Sequence, residues 1–435
     1  MNQSSPVDVS ACIDAQVVSP LQWRVIALCA LVVLFDGFDT QVIGYLGPAL
    51  SAEWNLPREQ LGPVFSASLV GLMAGLLVIG PVSDRAGRRW SILVSVFLFA
   101  FFTLLTAYAH GVTDLMAYRF LAGIGLGGAM PNALALTGEY CPKRLRATLV
   151  IIMFCGFSLG SIIGGLVAAA LLETYGWRSV FLVGAILPFM LLPLLYAWLP
   201  ESLQFLLLKK RDATARHLLQ KMNPALDANA VLRSDMKPAA EIPVADLFQQ
   251  GRGAGTLMLW TVFFMNLMVF YFLQSWLPTL FTDAGLTQQN AVLMTTLISV
   301  GGIVAGIVSG PLMDRYNAYV VLAVLYLGGA AFVITIGIAG PTLLALATFL
   351  AGFCVSGAQK SVNALAVIFY PVQMRSTGVG WALGIGRFGS ILGPVIAGWL
   401  LVLGWSTANL MQLAALPMLL AAAFIYAMGL RYAKQ

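Results

Sequence analysis

Charge is scarce in this chain. Asp, Glu, Lys and Arg make up only 10% of its 435 residues, against about 25% in a typical soluble domain. Hydrophobic residues make up 60%, which a bilayer absorbs and a water-soluble core does not. Histidine is rarer still. His110 sits at a predicted loop and His217 in a polar linker, so histidine is a poor candidate for a proton relay. The five cysteines (Cys12, Cys29, Cys141, Cys155, Cys354) are odd in number and lack metal-like spacing, so free thiols are expected. No nucleophile–base pair, metal cluster or soluble catalytic domain emerges. That argues against an enzyme and against a bound cofactor.

What is present is a series of charge-free stretches. Leu61–Ser83, Trp90–Thr113, Ala147–Leu172, Gly253–Thr282 and Ala284–Met313 each exceed the roughly 18 residues needed to span a bilayer. Tyr316–Gln359 and Phe388–Leu430 are long enough for two spans each. The spacing predicts twelve helices, at 23–50, 60–82, 90–109, 114–137, 147–172, 177–199, 257–281, 289–313, 319–338, 342–370, 376–402 and 406–430. The first apolar run follows a polar tail without a cleavage-like small-residue site, so it reads as a retained helix.

The basic balance, with 24 Lys and Arg against 18 acids, could suggest nucleic acid. Its distribution argues otherwise. Nineteen of the basic residues fall on every second connection and the termini, and only Arg58 and Arg178 on the opposite connections. This is the positive-inside pattern, predicting both termini in the cytoplasm of a multi-pass inner-membrane protein.

The sequence repeats itself. Gly80-Pro81-x-x-Asp84-Arg85 returns as Gly310-Pro311-x-x-Asp314-Arg315, offset by 230. Phe120-Leu-Ala-Gly123 returns as Phe349-Leu-Ala-Gly352, Arg146-Ala-Thr148 as Arg375-Ser-Thr377, and Gly160-Ser161-Ile-Ile-Gly164 as Gly389-Ser390-Ile-Leu-Gly393, each offset by 229. Four matches at nearly one offset imply parallel six-helix halves with a binding site between them. The expected organisation is a tail (1–22), a first bundle (23–199), a cytoplasmic linker (200–256) interrupted by Pro224, Pro238 and Pro243, a second bundle (257–430) and a short tail (431–435). Gly123-x-Gly125-x-x-Gly128 and Gly384-x-Gly386-x-x-Gly389 mimic a dinucleotide fingerprint but follow no strand. Close helix packing explains them better.

With these features the chain resembles the major facilitator superfamily. Gly80-x-x-x-Asp84-Arg85-x-Gly87-Arg88-Arg89 stands between helices two and three, where that superfamily has its signature loop. The resemblance extends to the aromatic acid:H⁺ symporter family through Asp36-Gly37-Phe38-Asp39, Gly138-Glu139-Tyr140, Tyr271-Phe272-Leu273-Gln274-Ser275-Trp276-Leu277-Pro278 and Gly378 to Arg387. It implies an all-α fold of two pseudo-symmetric bundles, acting by alternating access on a small aromatic carboxylate (benzoate or hydroxybenzoate type). A proton gradient is the energy source, the lipid bilayer the surroundings, and a monomer the expected state. Glu139 joins Asp36 and Asp39 as a proton-coupling candidate. Two departures matter. The second loop, Asp314-Arg315-Tyr316-Asn317, lacks the trailing Gly-Arg-Arg, and helix five lacks the Gly-Pro pair of antiporters. Pro200-Glu201-Ser202 is shared with sugar porters. A carrier of another organic acid and a proton-coupled efflux antiporter are the alternatives.

A charge in the hydrocarbon centre costs several kcal/mol, so Asp36, Asp39, Arg119, Lys360 and Arg387 each require a reason. Counting about 1.5 Å per residue, all five fall at depths that one central cavity can hold. Asp36 and Asp39 share a helix face. Two carboxylates in a low dielectric disfavour joint ionisation, which suits a proton carrier. The opposing reading is that Asp39 pairs with Arg119 and only holds helices one and four together. Arg387 offers a planar fork for a substrate carboxylate, or else pairs with a helix end. Lys360 stands where the first half has Pro131. Gln359 and Asn363 flank it and could bind ring hydroxyls or the carboxylate. Trp276, Tyr271, Phe272, Trp381 and Phe388 could stack on a ring, although interhelical packing accounts for most such aromatics.

Gly80, Asp84, Arg85, Gly87 and Arg88, with Asp314 and Arg315, are assigned to gating. Asp84→Asn is therefore expected to slow transport strongly in proteoliposomes. Calorimetric substrate affinity should stay near wild type, because the loop lies far from the central cavity. A large loss of affinity with normal turnover at saturation would contradict the assignment.

Overall fold

The structure is a computed structural model that describes residues 7–14, 17–142, 144–224, 226, 232–233, 244–249, 251–371 and 374–432. The remaining stretches of the expected tails and linker, and Lys143, lie outside the described residues. Asp84 and Asp314 are placed on their helices, but their side chains lie outside the description.

Eleven helices among the described residues are long and apolar enough to cross a membrane. They are α1 (Pro20–Trp54), α2 (Arg58–Ala86), α3 (Arg88–Ala107), α4 (Val112–Tyr140), then Arg146–Trp198, α7 (Gly253–Asp283), α8 (Gln288–Arg315), α9 (Ala318–Ile338), α10 (Pro341–Phe369), α11 (Arg375–Val402) and α12 (Thr407–Tyr432). Arg146–Trp198 has 53 residues. A straight helix of that length would run about 80 Å, far beyond a core of about 30 Å. Gly176, at φ 73° and ψ 172°, breaks it. Only glycine adopts such a backbone at little cost, so one residue makes the whole turn. The parts before and after Gly176 are α5 and α6, which completes the twelve membrane helices expected from the sequence.

Local chemistry sets the helix starts. Ser19 and Gln22 form a capping box at α1, with Gln22 N donating to Ser19 Oγ at 3.4 Å and Ser19 N to Gln22 Oε1 at 2.6 Å. The Gln22 amide then donates to the Tyr140 carbonyl (2.7 Å), tying α1 to the end of α4. The linker is more regular than its prolines suggest. It carries helices Leu203–Leu208 and Asp212–Met222 and a short 3-10 turn at Val244–Phe248. Strand β1 (Val7–Asp8) pairs in parallel with β2 (Leu232–Arg233), so the amino-terminal segment docks on the linker. The signature segment is also tighter than a loop. α2 continues to Ala86, so Asp84 and Arg85 lie in its last turn, and Gly87 at φ 100° is the turn.

The helices meet along glycine seams. A Cβ on Gly160 would overlap the Leu34 carbonyl, and one on Gly37 the Phe157 carbonyl, which presses α1 against α5. Gly71 and Gly123 bring α2 and α4 together against the carbonyls of Phe120 and Ser68. The second half repeats this construction. Gly389 lies on Phe264 and Gly393 on Met268 between α7 and α11, while Gly301 lies on Phe349 and Gly352 on Ile298 between α8 and α10. In a membrane, where lipid is as apolar as leucine, backbone approach through small residues supplies packing that hydrophobicity cannot. The repeated motifs of the sequence are these seams. Large apolar side chains such as Leu77, Met190, Val324 and Ile338 remain exposed, as the surface of a membrane-spanning protein requires.

The halves touch at the end away from the linker. There Gly62 lies on Pro394 and Val395, and Gly398 on Gly62 and the Arg58 carbonyl. Phe65 stacks edge-on against Trp276 with ring centroids 5.3 Å apart, and Arg58 pairs with Asp283 at 2.9 Å. Deeper, Tyr45 Oη and Ser161 Oγ are 3.0 Å apart, Ser161 and Ser299 share a 2.8 Å hydrogen bond, and Gln274 Nε2 donates to Ser299 at 3.1 Å. About five turns along the same faces toward the linker side, Gly80 of α2 and Gly380 of α11 meet nothing within 4 Å. The two helices therefore touch at the far end and part toward the linker.

The seams make a direct test. Gly160→Ala forces α1 and α5 apart and is expected to destabilise the protein by ~1–3 kcal/mol. Gly380→Ala, with open space around it, is expected to leave stability unchanged or slightly higher. Thermal melts of the purified protein followed by size exclusion measure both; equal losses would sink the argument.

Candidate functional site

Asp39 and Arg119 are both fully buried, at 0% exposure. Arg119 Nη1 donates to Asp39 Oδ1 and Oδ2 at 2.9 Å each, and Nη2 donates to the Asp39 carbonyl at 2.8 Å. Thr103 of α3 donates to Oδ1 at 2.6 Å. The guanidinium also sits 5.5 Å from the Phe181 ring centroid. This is a closed pair that joins α1, α3, α4 and α6. A buried pair with this geometry and extra hydrogen bonds is costly to break, because either partner alone is an uncompensated charge.

Asp36, one turn earlier on α1, is in another situation. It is 1% exposed. Thr40 donates to its Oδ1 at 3.0 Å, while Oδ2 has no hydrogen-bond partner among the described residues. Arg387 of α11 lies within electrostatic reach, but no ion pair joins the two. The hydrogen-bond partner of Arg387 is Tyr271 of α7, 3.2 Å from Nη1 to the phenol oxygen. Tyr271 packs with Leu69 of α2, so this group faces the first half. Gly386 and Gly389, on either side of Arg387, let α11 settle onto α7 and fix the height of the guanidinium.

Lys360 of α10 lies beside α8, where its ammonium donates to the Gly302 carbonyl. Cys155 of α5 lies within its electrostatic reach across the halves. Gln359 Oε1 and Asn363 Oδ1 are buried without partners among the described residues.

The remaining candidates lie elsewhere. Trp276 is fully buried, with Nε1 donating to the Pro394 carbonyl at 2.9 Å. It packs edge-on against Phe65 in the contact between the halves. Trp381 stacks on Trp260, with centroids 5.9 Å apart and planes 18° apart; Phe388 is half exposed. Glu139 stands away from the Asp pair, at the linker end of α4. It pairs with Arg88 and accepts from Ser202 Oγ at 2.5 Å. Next to it Glu201 accepts from the backbone N–H groups of Arg88 (2.9 Å) and Arg89 (3.1 Å), capping the start of α3. Arg85 and Arg315 are exposed on the linker side. Sequence reasoning missed Thr103, Glu201 as a cap, and the Tyr45–Ser161–Ser299–Gln274 network. Thr103 carries no motif, and the motifs that hold Ser161 and Gln274 do not show that the two side chains join one network. Glu201 stood in a noted Pro-Glu-Ser, whose spacing does not reveal the helix start it caps.

With this geometry in view, the likeness to known proteins is specific. The family model described as Major Facilitator Superfamily matches residues 29–346 and 293–434. The chain is 44% identical to the 4-hydroxybenzoate transporter PcaK of Pseudomonas aeruginosa, over 98% of this chain and 96% of that protein. It is 42% identical to a gallate transporter of Pseudomonas putida, over 98% and 96%. Identity to the benzoate transport protein of Acinetobacter baylyi is 36%, over 92% and 88%. Among solved structures, the partially occluded inward-open xylose transporter XylE from E. coli superposes with a TM-score of 0.73 at 18% identity, covering 93% of this chain and 99% of that one. Profile, relatives and fold agree, and the chain belongs to the Major Facilitator Superfamily.

Proposed function

We propose that this protein imports aromatic carboxylates of the benzoate or hydroxybenzoate type together with a proton. It would act by alternating access between bundles 23–199 and 257–430, as a monomer in the bacterial inner membrane. On this reading the linker and both termini are cytoplasmic, which follows the distribution of Lys and Arg. The proton gradient supplies the energy without a bound cofactor. Relatives named for 4-hydroxybenzoate, gallate and benzoate support the substrate class.

The observation that carries the reading is the contrast between two acid–base groups. Asp39–Arg119 is closed on itself, whereas Arg387 and Asp36 face each other across the halves without pairing. An unpaired guanidinium at this depth recruits an anion, and its planar fork suits a carboxylate. A substrate carboxylate bound to Arg387 brings negative charge toward Asp36. Two neighbouring anions in a low-dielectric site are strongly disfavoured, so Asp36 then takes a proton on its free Oδ2. Binding and protonation thus favour each other, which is the coupling that symport needs. Asp39 keeps its partner through the cycle and serves as the joint of the first bundle. The Arg88, Glu139 and Glu201 cluster belongs to gating on the linker side.

Asp36→Asn is expected to abolish gradient-driven accumulation in proteoliposomes while counterflow of labelled substrate persists. Asp39→Asn is expected to lower the melting temperature as well, because Arg119 is left unpaired at a cost of ~3–5 kcal/mol. If both variants concentrate substrate like wild type under a proton gradient, proton coupling through α1 is wrong.

Arg387→Ala is expected to weaken binding of benzoate-type acids by at least about tenfold, a charged hydrogen bond being worth ~1.5–3 kcal/mol. Arg387→Lys should bind weakly, having charge without the fork. Calorimetry on purified protein decides this; wild-type affinity in Arg387→Ala would make Arg387 structural. Uptake of a panel of radiolabelled acids, with the gradient imposed in each direction, separates the import reading from efflux and from other acids.

A further inference from the structure

The site has a second cation that carboxylate binding at Arg387 does not use. A buried lysine needs a reason as much as a buried arginine does. Among the described residues Lys360 has no carboxylate partner; its ammonium, with three N–H donors, donates to the Gly302 carbonyl alone. Glycines make its berth. A Cβ on Gly306, one turn from Gly302 on α8, would meet Lys360 Cδ at 3.2 Å and Nζ at 3.5 Å. The lysine stem therefore lies along α8 and carries its charge toward Cys155 of the first half.

The depth of that charge follows from the seams. Gly37 of α1 sits against Phe157 of α5 and Gly160 of α5 against Leu34 of α1, so Asp36 and Cys155 differ in height by about one turn at ~1.5 Å per residue. Arg387 lies within electrostatic reach of Asp36 and Lys360 within that of Cys155, so the two cations stand at similar depth. They face different helices, α1 and α5, whose axes are neighbours at ~8–10 Å. That is the scale of an aromatic ring with a polar group at each end.

The surroundings specify that second polar group. Asn363 lies one turn from Lys360 and Gln359 on the same face of α10. The side-chain carbonyl oxygens of Gln359 and Asn363 are buried acceptors without donors. An ammonium and orphaned carbonyls carried on one turn of α10 suit a partner that accepts one hydrogen bond and donates another. A hydroxyl does both, a carboxylate only accepts, and an ether only accepts.

Resting on the reading of Arg387 as the carboxylate anchor, we propose that Lys360, with the carbonyls of Gln359 and Asn363, recognises a hydroxyl at the opposite end of the ring. Hydroxylated aromatic acids are then the preferred substrates over unsubstituted ones. Sites that hydrogen-bond a substrate hydroxyl reject analogues lacking it, because their own polar groups are left unpaired.

The test is calorimetry on the purified full-length protein with benzoate, 4-hydroxybenzoate, 4-methoxybenzoate and terephthalate. Wild type should bind 4-hydroxybenzoate about tenfold or more tighter than the other three. Lys360→Met should bring 4-hydroxybenzoate down to the benzoate level, weakening 4-hydroxybenzoate about tenfold more than benzoate. Asn363→Leu should reduce the hydroxyl preference in part, and it stands in if Lys360→Met fails to fold by size exclusion. Equal wild-type affinity for benzoate and 4-hydroxybenzoate overturns the proposal while leaving aromatic-acid transport intact. So does a Lys360→Met variant that weakens both alike, which would make the lysine a pin between α8 and α10. Wild-type protein that binds none of the four overturns the transport reading itself.

Discussion

Hydrocarbon does not solvate charge, so every ion held at mid-membrane must be matched by another group or by something that enters. This constraint orders the centre of the molecule. Asp39 and Arg119 satisfy it internally and so bind four helices of the first half into one body. Arg387 and Lys360 satisfy it only in part, with a phenol and a backbone carbonyl. The difference separates structure from function better than burial or motif does. Ions of the first kind complete a fold, and those of the second kind leave room for a guest. The glycine seams serve the same constraint. They hold backbones close enough to fix the height of each charge to within a turn, which a loosely packed bundle could not do.

The sequence made the architecture legible because the fold repeats and the repeats are packing glycines. Phe120 to Gly123 and Phe349 to Gly352 match because each glycine must clear a neighbouring backbone, at Ser68 and at Ile298. Spans were legible because hydrocarbon excludes charge over a known thickness. The α5–α6 break was legible because Glu173 and Arg178 bound the charge-free run; that Gly176 alone makes the turn was not.

The site was legible as a list of residues and not as an arrangement. Charges stand out in an apolar sequence, so Asp36, Asp39, Arg119, Lys360 and Arg387 announced themselves. Beyond the Asp39–Arg119 pair, their partners did not: Thr103 and the Gly302 carbonyl are ordinary groups, and Tyr271 stood out as a ring to stack on and not as the partner of Arg387. Trp276 shows the same limit: a tryptophan looks alike in sequence whether it faces a guest or donates to the Pro394 carbonyl. Glu139 likewise stands out by its chemistry, and only the structure shows that it meets Arg88 and Ser202 at the linker end of α4.

The matching seams also carry a lesson about symmetry. Leu34 of α1 and Phe264 of α7 hold equivalent places against Gly160 and Gly389, which makes Asn266 the counterpart of Asp36 and Val269 that of Asp39. By the same registers Ser158 stands opposite Arg387 in the scheme, and Pro131 opposite Lys360. The mid-membrane acids lie in one half, and the two cations without a carboxylate partner among the described residues lie in the other, on an unchanged frame. A carrier assembled from two identical six-helix chains could not do this. Its twofold axis would repeat every acid and base on both walls, so walls that differ demand two copies that mutate separately. Fusion into one chain permits that divergence and fixes the two halves in equal number.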